Sequence, residues 1–332
     1  MEEHMSRKLL SYTALGLILG NAAIADVPKV AVDIAPVHSL VSRVMEGVGS
    51  PKLIIPAGAS PHEYSLRPSE AKSLQDADMV IWMGEDLAPW MENSIEKLAK
   101  NAEVITLLEA SETKLLDFRE GALFEEHDHG DHDDHDDHDD HDKDHDDHDD
   151  HDDHDDHAGH DHGEHDPHAW LSIENAQTWL NLVAGKLSAA DPENAGVYFG
   201  NAAAARSEIE ELSKEVNSIL DPVRGRSFVV FHDAYQYFET SFDFPASGAI
   251  SLGDATDPSA SRIAEIQGRV REEGINCVLS EPQYNPNLVE TVLEGTDAKT
   301  GVIDPLGVNL EPGSKLYGDL IRNMAKSLAG CL

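Results

Sequence analysis

Positive charge is scarce in this sequence: 24 Lys and Arg residues face 64 Asp and Glu residues, so the formal net charge is −40. A surface this acidic repels polyanions, which excludes nucleic acids and anionic lipid surfaces as partners. The N-terminal apolar stretch is also short. It covers residues 9–20 and has 12 residues, whereas a membrane-spanning helix needs about 20. A transmembrane anchor at this end of the chain is therefore excluded.

The same apolar stretch has the surroundings of a secretory signal. Arg7 and Lys8 precede it, and an Ala-Ile-Ala cleavage pattern ends at Ala25. We therefore predict that residues 1–25 are a signal peptide and that the mature protein is exported.

Cysteine is rare, with Cys277 and Cys331 as the two residues of this type. An even cysteine count in an exported chain suggests one disulfide, and the alternative is two buried free thiols. The sequence also lacks a Gly-x-Ser-x-Gly nucleophile elbow. That absence argues against a Ser-His-Asp hydrolase.

A segment rich in His and Asp interrupts the chain at residues 125–166. It holds 23 acidic residues and one lysine, mostly in Asp-Asp-His repeats. It has no apolar residue able to anchor a core, so we predict an insertion that is disordered when metal is absent. We predict that its histidines bind several metal ions weakly, since the alternative, a merely solvated acidic run, needs no histidines. These histidines are His127, His129, His132, His135, His138, His141, His145, His148, His151, His154, His157, His160, His162 and His165.

Outside the insertion, short β-rich runs alternate with helical stretches, a pattern that predicts parallel sheets flanked by helices. The predicted strands are 30–34, 52–55, 79–82 and 103–107 in the first half and 227–231, 276–279 and 300–303 in the second. Residues 192–220 show no strand signal and favour one long helix, with two helices of one domain as the alternative. We therefore predict an α/β protein of two lobes joined by a rigid helix. The predicted boundaries are 26–190 for the N-terminal lobe, 191–220 for the linker helix and 221–332 for the C-terminal lobe.

Candidate ligands come from the few histidines outside the signal and the insertion. His62 follows the second predicted strand, His168 lies just ahead of a predicted helix, and His232 stands at the carboxyl end of a strand. Asp304 stands at the carboxyl end of the last predicted strand. Ligands of open α/β sheets bind beyond the carboxyl ends of strands. We therefore expect these four side chains in the cleft between the lobes.

Three neutral imidazoles with a carboxylate or water form the tetrahedral arrangement that Zn²⁺ accepts. Imidazole also suits Zn, Cu, Ni and Fe better than Mn or Ca. A single histidine after a strand is more often a capping or core residue, so the prediction depends on the three histidines together. A metalloenzyme, with Glu63 or Glu281 as its base, would need an open coordination position and room for a substrate.

Five stretches carry a family resemblance: S-P-H-E-Y-S-L-R-P-S at 60–69, A-D-M-V-I-W at 77–82, H-A-W-L-S at 168–172, F-H-D-A-Y-Q-Y-F at 231–238 and D-P-L-G at 304–307. By these motifs, residues 26–332 resemble the zinc-binding proteins of bacterial zinc ABC importers, a branch of the metal-binding solute-binding proteins. A His/Asp-rich insertion ahead of the second ligand is typical of this branch.

The resemblance implies two α/β lobes joined by a long helix, with a metal ion between them. It places the three histidines of the family on His62, His168 and His232. Manganese-binding relatives carry a carboxylate at the third position, so His232 implies zinc. Some zinc-binding members place an acid just before the first histidine, whereas Pro61 stands there in this chain. The fourth ligand is then Asp304, a water molecule or a histidine of the insertion.

The resemblance also implies a disulfide at positions like Cys277 and Cys331, and it gives His38 no ligand role. The function it implies is not enzymatic: the protein would capture Zn²⁺ and deliver it to the inner-membrane permease of an ABC importer. We add a periplasmic zinc metallochaperone as a candidate partner and expect a monomer. The competing hypothesis is an adhesin or a metal-storage protein of the same fold, and storage would keep most of the metal in the insertion.

Overall fold

Short runs of buried apolar residues form the strands of two parallel sheets. The chain is described here by a computed structural model, which covers residues 27–119, 124, 165–251, 258–284 and 287–332. The predicted signal peptide, and the histidines of the insertion other than His165, lie outside the described residues. Within them the chain forms two lobes, each with a four-stranded parallel sheet.

The first lobe contains strands β1 (Val30–Val32), β2 (Lys52–Leu53), β3 (Met79–Trp82) and β4 (Glu103–Thr106), and helices α1 (Ala35–Val44), α2 (Pro68–Gln75) and α3 (Pro89–Leu98). The strand order is β2-β1-β3-β4, and every pairing is parallel. Successive residues of a strand face opposite sides of a sheet. Val80 accordingly packs in one core cluster and its neighbour Ile81 in another. Both faces of the sheet are thus covered, as is usual for parallel sheets.

The second lobe repeats this topology, with the strand order β6-β5-β7-β8. Its elements are β5 (Phe228–His232), β6 (Gly248–Ser251), β7 (Cys277–Ser280), β8 (Lys299–Val302), α6 (Gln236–Phe242), α7 (Ala260–Glu272), α8 (Asn287–Leu293) and α9 (Leu316–Cys331). The sequence analysis missed β6. Gly, Ala and Ser have little intrinsic preference for a strand, so this segment becomes a strand through its burial and its pairing with β5.

Between the two sheets the chain forms two helices, α4 (Ile173–Ala190) and the helix that links the lobes, α5 (Ala195–Leu220). The predicted linker helix is confirmed as one continuous helix of 26 residues. It begins at Ala195, because Pro192 starts a separate short 3-10 turn, Pro192–Asn194. Its buried face joins a core cluster with residues from both lobes. Within the described residues, no helix combines the length and the apolar character needed to cross a membrane.

Direct hydrogen bonds also hold the lobes together near the cleft. Trp170 donates its indole N–H to the carbonyl oxygen of Pro305 at 2.8 Å. The Tyr317 backbone N–H donates to Ser39 Oγ at 2.9 Å, and the Tyr317 hydroxyl donates to the Trp170 carbonyl oxygen at 3.1 Å. The relative position of the lobes therefore depends on these buried bonds as well as on α5.

The predicted disulfide is confirmed: Cys277 of β7 and Cys331 of α9 are bonded, with 5.8 Å between their Cα atoms. The neighbouring position on β8 is Gly301. A Cβ atom there would lie 3.2 Å from Cys331 Cβ and 3.1 Å from Leu279 Cδ2. A glycine at this position therefore lets the helix and its disulfide pack directly against the sheet.

The described residues begin again at His165, inside the predicted insertion of residues 125–166. His165 forms an antiparallel bridge with Asp117, and the Asp166 backbone N–H donates to the Leu116 carbonyl oxygen at 2.8 Å. Asp166 is also buried. These contacts hold both residues, at the end of the predicted insertion, against the first lobe.

Asp33 is a fully buried carboxyl at the carboxyl end of β1, the position that corresponds to the end of β5 in the second lobe. Its two oxygens accept the backbone N–H groups of Ile34 and Met83, each at 2.7 Å. Burial raises the pKa of Asp33 to about 7, although these hydrogen bonds act to lower it. The folded lobe therefore favours the neutral acid below that pH.

We expect the stability that Asp33 contributes to be present at acidic pH and lost as the pH rises from about 4 through 7. A raised carboxyl pKa means that the folded state binds the proton more tightly than the unfolded state. For the metal-free protein, the difference in unfolding free energy between wild type and Asp33→Asn should shrink with rising pH, by up to about 1.4 kcal/mol per pH unit. Denaturant titrations between pH 5 and 8 measure it. Parallel pH profiles of the two proteins would contradict this expectation.

Candidate metal centre

A small cavity lies between the lobes, where β5 and β7 end. Its volume is about 10 Å³, which is room for roughly one water-sized sphere. His62 reaches it from the loop after β2, His168 from the segment before α4, and His232 from the last position of β5. The residues lining it are Ser60, Pro61, His62, His168, Trp170, His232, Glu281, Gln283, Tyr284, Pro305 and Leu306.

Two distances between the imidazole rings are close to those of a tetrahedral metal site. The ring centroids of His62 and His168 are 5.7 Å apart, and those of His168 and His232 are 5.3 Å apart. Zinc–nitrogen bonds of about 2.0–2.1 Å in tetrahedral geometry put ring centroids about 5 Å apart. In the described part of the chain, no three His, Cys, Asp or Glu side chains already converge closely enough to hold a metal. Small ring rotations would therefore accompany metal binding.

Buried carboxylates orient two of the imidazoles. His168 Nδ1 lies 2.7 Å from Asp166 Oδ1, and His232 Nδ1 lies 2.6 Å from Glu281 Oε1. A carboxylate that accepts the Nδ1 proton leaves Nε2 as the metal-binding nitrogen and makes it more basic. The Nε2 atoms of all three cavity histidines are shielded from solvent, and within the described residues that of His168 has no hydrogen bond partner. This arrangement suits metal binding.

The sequence analysis did not assign these orienting roles to Asp166 and Glu281. Asp166 lies two residues before His168, and its Oδ1 also accepts the His168 backbone N–H at 2.9 Å. Glu281 follows β7, the neighbour of β5 in the sheet. The one available signal was an acid within two residues of a candidate ligand. Asp166 fits it and Glu281 does not, but Glu63 and Asp233 fit it as well, so the signal does not single out Asp166.

His62 is held by its loop. The backbone N–H of His62 lies 3.3 Å from Ser60 Oγ, and Trp90 of α3 donates its indole N–H to the Pro61 carbonyl oxygen at 2.8 Å. A ligand on a loop can adjust its position more easily than one at the end of a strand. Of the three rings, we therefore expect that of His62 to move most easily when a metal ion binds.

Asp304, the candidate fourth ligand, accepts hydrogen bonds from the backbone of its own loop. Its Oδ1 accepts the backbone N–H groups of Leu306 at 3.0 Å and Gly307 at 2.9 Å, and its Oδ2 accepts that of Val308 at 2.7 Å. The described residues that line the cavity do not include Asp304. Its contacts fold the loop that carries Pro305 into the cavity wall. The structure thus brings the three histidines together around one cavity and leaves Asp304 outside the lining of that cavity.

His38 lies apart from the cavity, on α1. Its Nε2 is 3.3 Å from the Pro51 carbonyl oxygen, and burial lowers the pKa of the ring. These contacts make His38 a structural residue of the first lobe.

Aromatic rings surround His232 on the side of the second lobe, and one of them, Tyr284, lines the cavity. Tyr284 stacks on Phe231 with centroids 4.5 Å apart and lies 5.5 Å from the His232 ring. Tyr235 lies 6.1 Å from the same ring, and burial, reinforced by the Glu281 charge, raises the pKa of its hydroxyl well above the ordinary value. The Tyr235 hydroxyl therefore stays neutral beside the histidine.

A buried ion-pair cluster adjoins the third histidine. Arg119 approaches from the segment that leads into the insertion and contacts Asp233, which follows His232, and Glu239 of α6. Its Nε lies 3.0 Å from Asp233 Oδ2 and its Nη1 lies 2.8 Å from Glu239 Oε2. Phe124 covers the guanidinium, with its ring centroid 3.5 Å from Cζ. Arg119 thus joins this segment to the second lobe next to the candidate site.

Comparison with known proteins shows the family of the chain. The family model described as "Zinc-uptake complex component A periplasmic" matches residues 30–331. The chain belongs to this family. Among zinc-uptake relatives, the high-affinity zinc uptake system protein ZnuA of Paracoccus denitrificans is 47% identical over 326 residues, which cover 97% of this chain and 98% of the relative. ZnuA of Brucella abortus is 46% identical and covers 94% of each chain.

Solved structures show that the fold is that of zinc-uptake components and related proteins. A crystal structure of ZnuA superimposes with a TM-score of 0.70 and 19% identity, over 92% of this chain and 99% of the other. The laminin-binding protein Lmb of Streptococcus agalactiae, described as having adhesin and metal-transporting activity, superimposes with a TM-score of 0.68 at 19% identity, over 92% and 99% of the two chains. At these identities the likeness extends to the fold alone.

Proposed function

We propose that the protein captures one Zn²⁺ ion in the periplasm through His62, His168 and His232 and delivers it to the permease of an ABC-type zinc importer. The observation that carries this proposal is a cavity of about 10 Å³ surrounded by three imidazoles. Two of these rings are oriented by the buried carboxylates of Asp166 and Glu281. Membership in the zinc-uptake family, whose relatives are named for high-affinity zinc uptake, supports the same conclusion.

The cavity argues for a binding protein over an enzyme. Its volume leaves no room for an organic substrate beside the metal. Glu281, one of the two candidate bases, is engaged by His232. Export through residues 1–25, action as a monomer, and a periplasmic zinc metallochaperone as a second partner belong to the same proposal.

For the fourth coordination position we propose a ligand other than Asp304. The three backbone N–H groups that Asp304 accepts support a role in holding its own loop. That leaves the position to a water molecule or to a histidine of the insertion. Water is a usual occupant when a zinc ion has three protein ligands.

Metal competition tests the proposal. We expect Zn²⁺ to bind more tightly than Mn²⁺ by at least about 100-fold, because sites built from imidazole follow the Irving–Williams order, in which Mn²⁺ is weakest. Titration against a chromophoric chelator gives both dissociation constants. Growth under zinc limitation, with the gene deleted and then restored, tests delivery. Comparable affinities for the two ions would contradict the proposal.

The insertion supplies an auxiliary function in this proposal: it collects zinc weakly and passes it to the cleft. Its 14 histidines and dense acidic charge support this role, since the charge concentrates cations. His168 lies three residues after His165, the last histidine of the insertion. Metal bound to the insertion is therefore tethered close to His168.

We expect deletion of residues 127–164 to leave one tight site and to lower the zinc stoichiometry to about one. Weak binding by the insertion should fall steeply from neutral pH toward 6, because histidine ligands must be neutral and nearby carboxylates favour the protonated form. Equilibrium dialysis of the deleted and full-length chains measures both effects. Loss of the tight site on deletion would make a residue of the insertion a direct ligand, and unchanged stoichiometry would favour the solvated acidic run.

A further inference from the structure

One lining residue of the cavity has buried polar atoms that make no hydrogen bond to any described residue. Gln283 lies two residues after Glu281, in a turn in which the Tyr284 backbone N–H donates to the Glu281 carbonyl oxygen at 3.3 Å. Both side-chain polar atoms of Gln283, Oε1 and Nε2, are shielded from solvent and make no hydrogen bond within the described part of the chain. The amide borders the same cavity as His62, His168 and His232.

A buried amide without hydrogen bonds lowers the stability of the fold. Each buried donor or acceptor without a partner costs on the order of 1–3 kcal/mol, and buried polar groups are paired in the great majority of cases. An apolar side chain at position 283 would avoid this loss of stability, yet the turn holds an amide beside the imidazoles. The occupant of the cavity is therefore the natural partner for it.

The chemistry of zinc favours an indirect contact between this amide and the ion. Protein ligands of Zn²⁺ are thiolates, imidazoles and carboxylates, and a site with three protein ligands keeps water in its fourth position. An amide can both donate to such an oxygen and accept from it. A metal-bound oxygen would satisfy Oε1 while it is water, and Nε2 after it loses a proton.

We propose that the Gln283 amide binds the water molecule that completes the coordination of the zinc ion, and thereby makes Gln283 a positioning residue for metal affinity. This inference rests on the proposed zinc site and adds a residue to it. With water as the fourth ligand, the Asp304 carboxylate is free to accept the backbone N–H groups of its own loop.

The test compares Gln283→Leu with wild type, using zinc itself and Co²⁺ as a spectroscopic probe. Gln283→Leu should weaken zinc binding about tenfold, the effect of losing one hydrogen bond to a ligand of a cation. The visible spectrum of the Co²⁺ protein should show a pH-dependent step between pH 6.5 and 9.5 from deprotonation of the bound water, and Gln283→Leu should shift its midpoint. The melting temperature of the metal-free protein should stay the same or rise, which separates this role from a structural one.

Gln177→Leu is the matched control. Gln177 is another half-buried glutamine, on α4, which lines a separate cavity with Lys114 and Thr240. It should leave the zinc affinity and the Co²⁺ spectrum unchanged. If Gln283→Leu behaves like Gln177→Leu while wild type binds zinc tightly, the inference fails and the zinc site stands. Absence of the pH-dependent step in wild type would also overturn it. Failure of wild type to bind zinc would instead overturn the proposed function.

Discussion

Replacing His168 with alanine is expected to lower the zinc affinity by more than about 100-fold. Loss of an outer carboxylate partner of a metal-bound histidine already costs roughly 10–100-fold, and loss of the ligand itself removes a metal bond. The buried Asp166 carboxylate would also lose the ring it orients. Competition against a chromophoric chelator measures the effect, because a strong competitor masks the weak sites of the insertion.

Two variants calibrate this measurement. Asp166→Asn should give an intermediate loss, since it disturbs the orientation of His168 and leaves the ligand in place. His38→Gln should leave the affinity unchanged, because His38 is a buried histidine bound to the Pro51 carbonyl and lies outside the cavity. An effect of His38→Gln as large as that of His168→Ala would mean that the affinity follows the stability of the lobe, and the ligand assignment would be wrong.

Replacing Arg119 with methionine is expected to destabilise the protein by about 3–5 kcal/mol, the usual effect of removing one partner from a buried ion pair. Two carboxylates, Asp233 and Glu239, would then share a buried space with no cation. Burial already raises the pKa of both acids, and the guanidinium acts to lower it. The acids would have to take up protons, so the destabilisation should shrink as the pH falls. Denaturant titrations at neutral and acidic pH measure both effects.

Arg43→Met provides the comparison, because Arg43 forms an ion pair with Glu208, whose side chain is 61% exposed. Exposed pairs contribute little, so this variant should cost far less. Adding Asp233→Asn and Glu239→Gln to Arg119→Met should recover part of the lost stability, since it removes the uncompensated charges. If Arg119→Met is as mild as Arg43→Met, the cluster does not stabilise the second lobe.

The sequence predicted the three histidines because each one lies in a distinct motif, and two of them lie after strands. It did not predict the arrangement around them. Whether a carboxylate such as Glu281 faces His232 depends on the order of β5 and β7 in the sheet, and no local pattern contains that order. The Asp304 assignment followed from the correct position at a strand end, but a side chain there can bind its own loop as well as a ligand. The strand β6 was missed because its small residues carry no local strand signal.

The volume of the cavity sets a condition on the ion before any preference between ligands applies. With space for roughly one water-sized sphere, a divalent cation has to lose almost its whole hydration shell to reach the imidazoles. Mg²⁺ dehydrates reluctantly and requires octahedral geometry, and Ca²⁺ needs roughly 6–8 oxygen ligands. We therefore expect the enclosure to exclude both alkaline-earth ions by the cost of dehydration. For an ion that does enter, we expect the acidic surface to speed the encounter and the loss of water to oppose the final step.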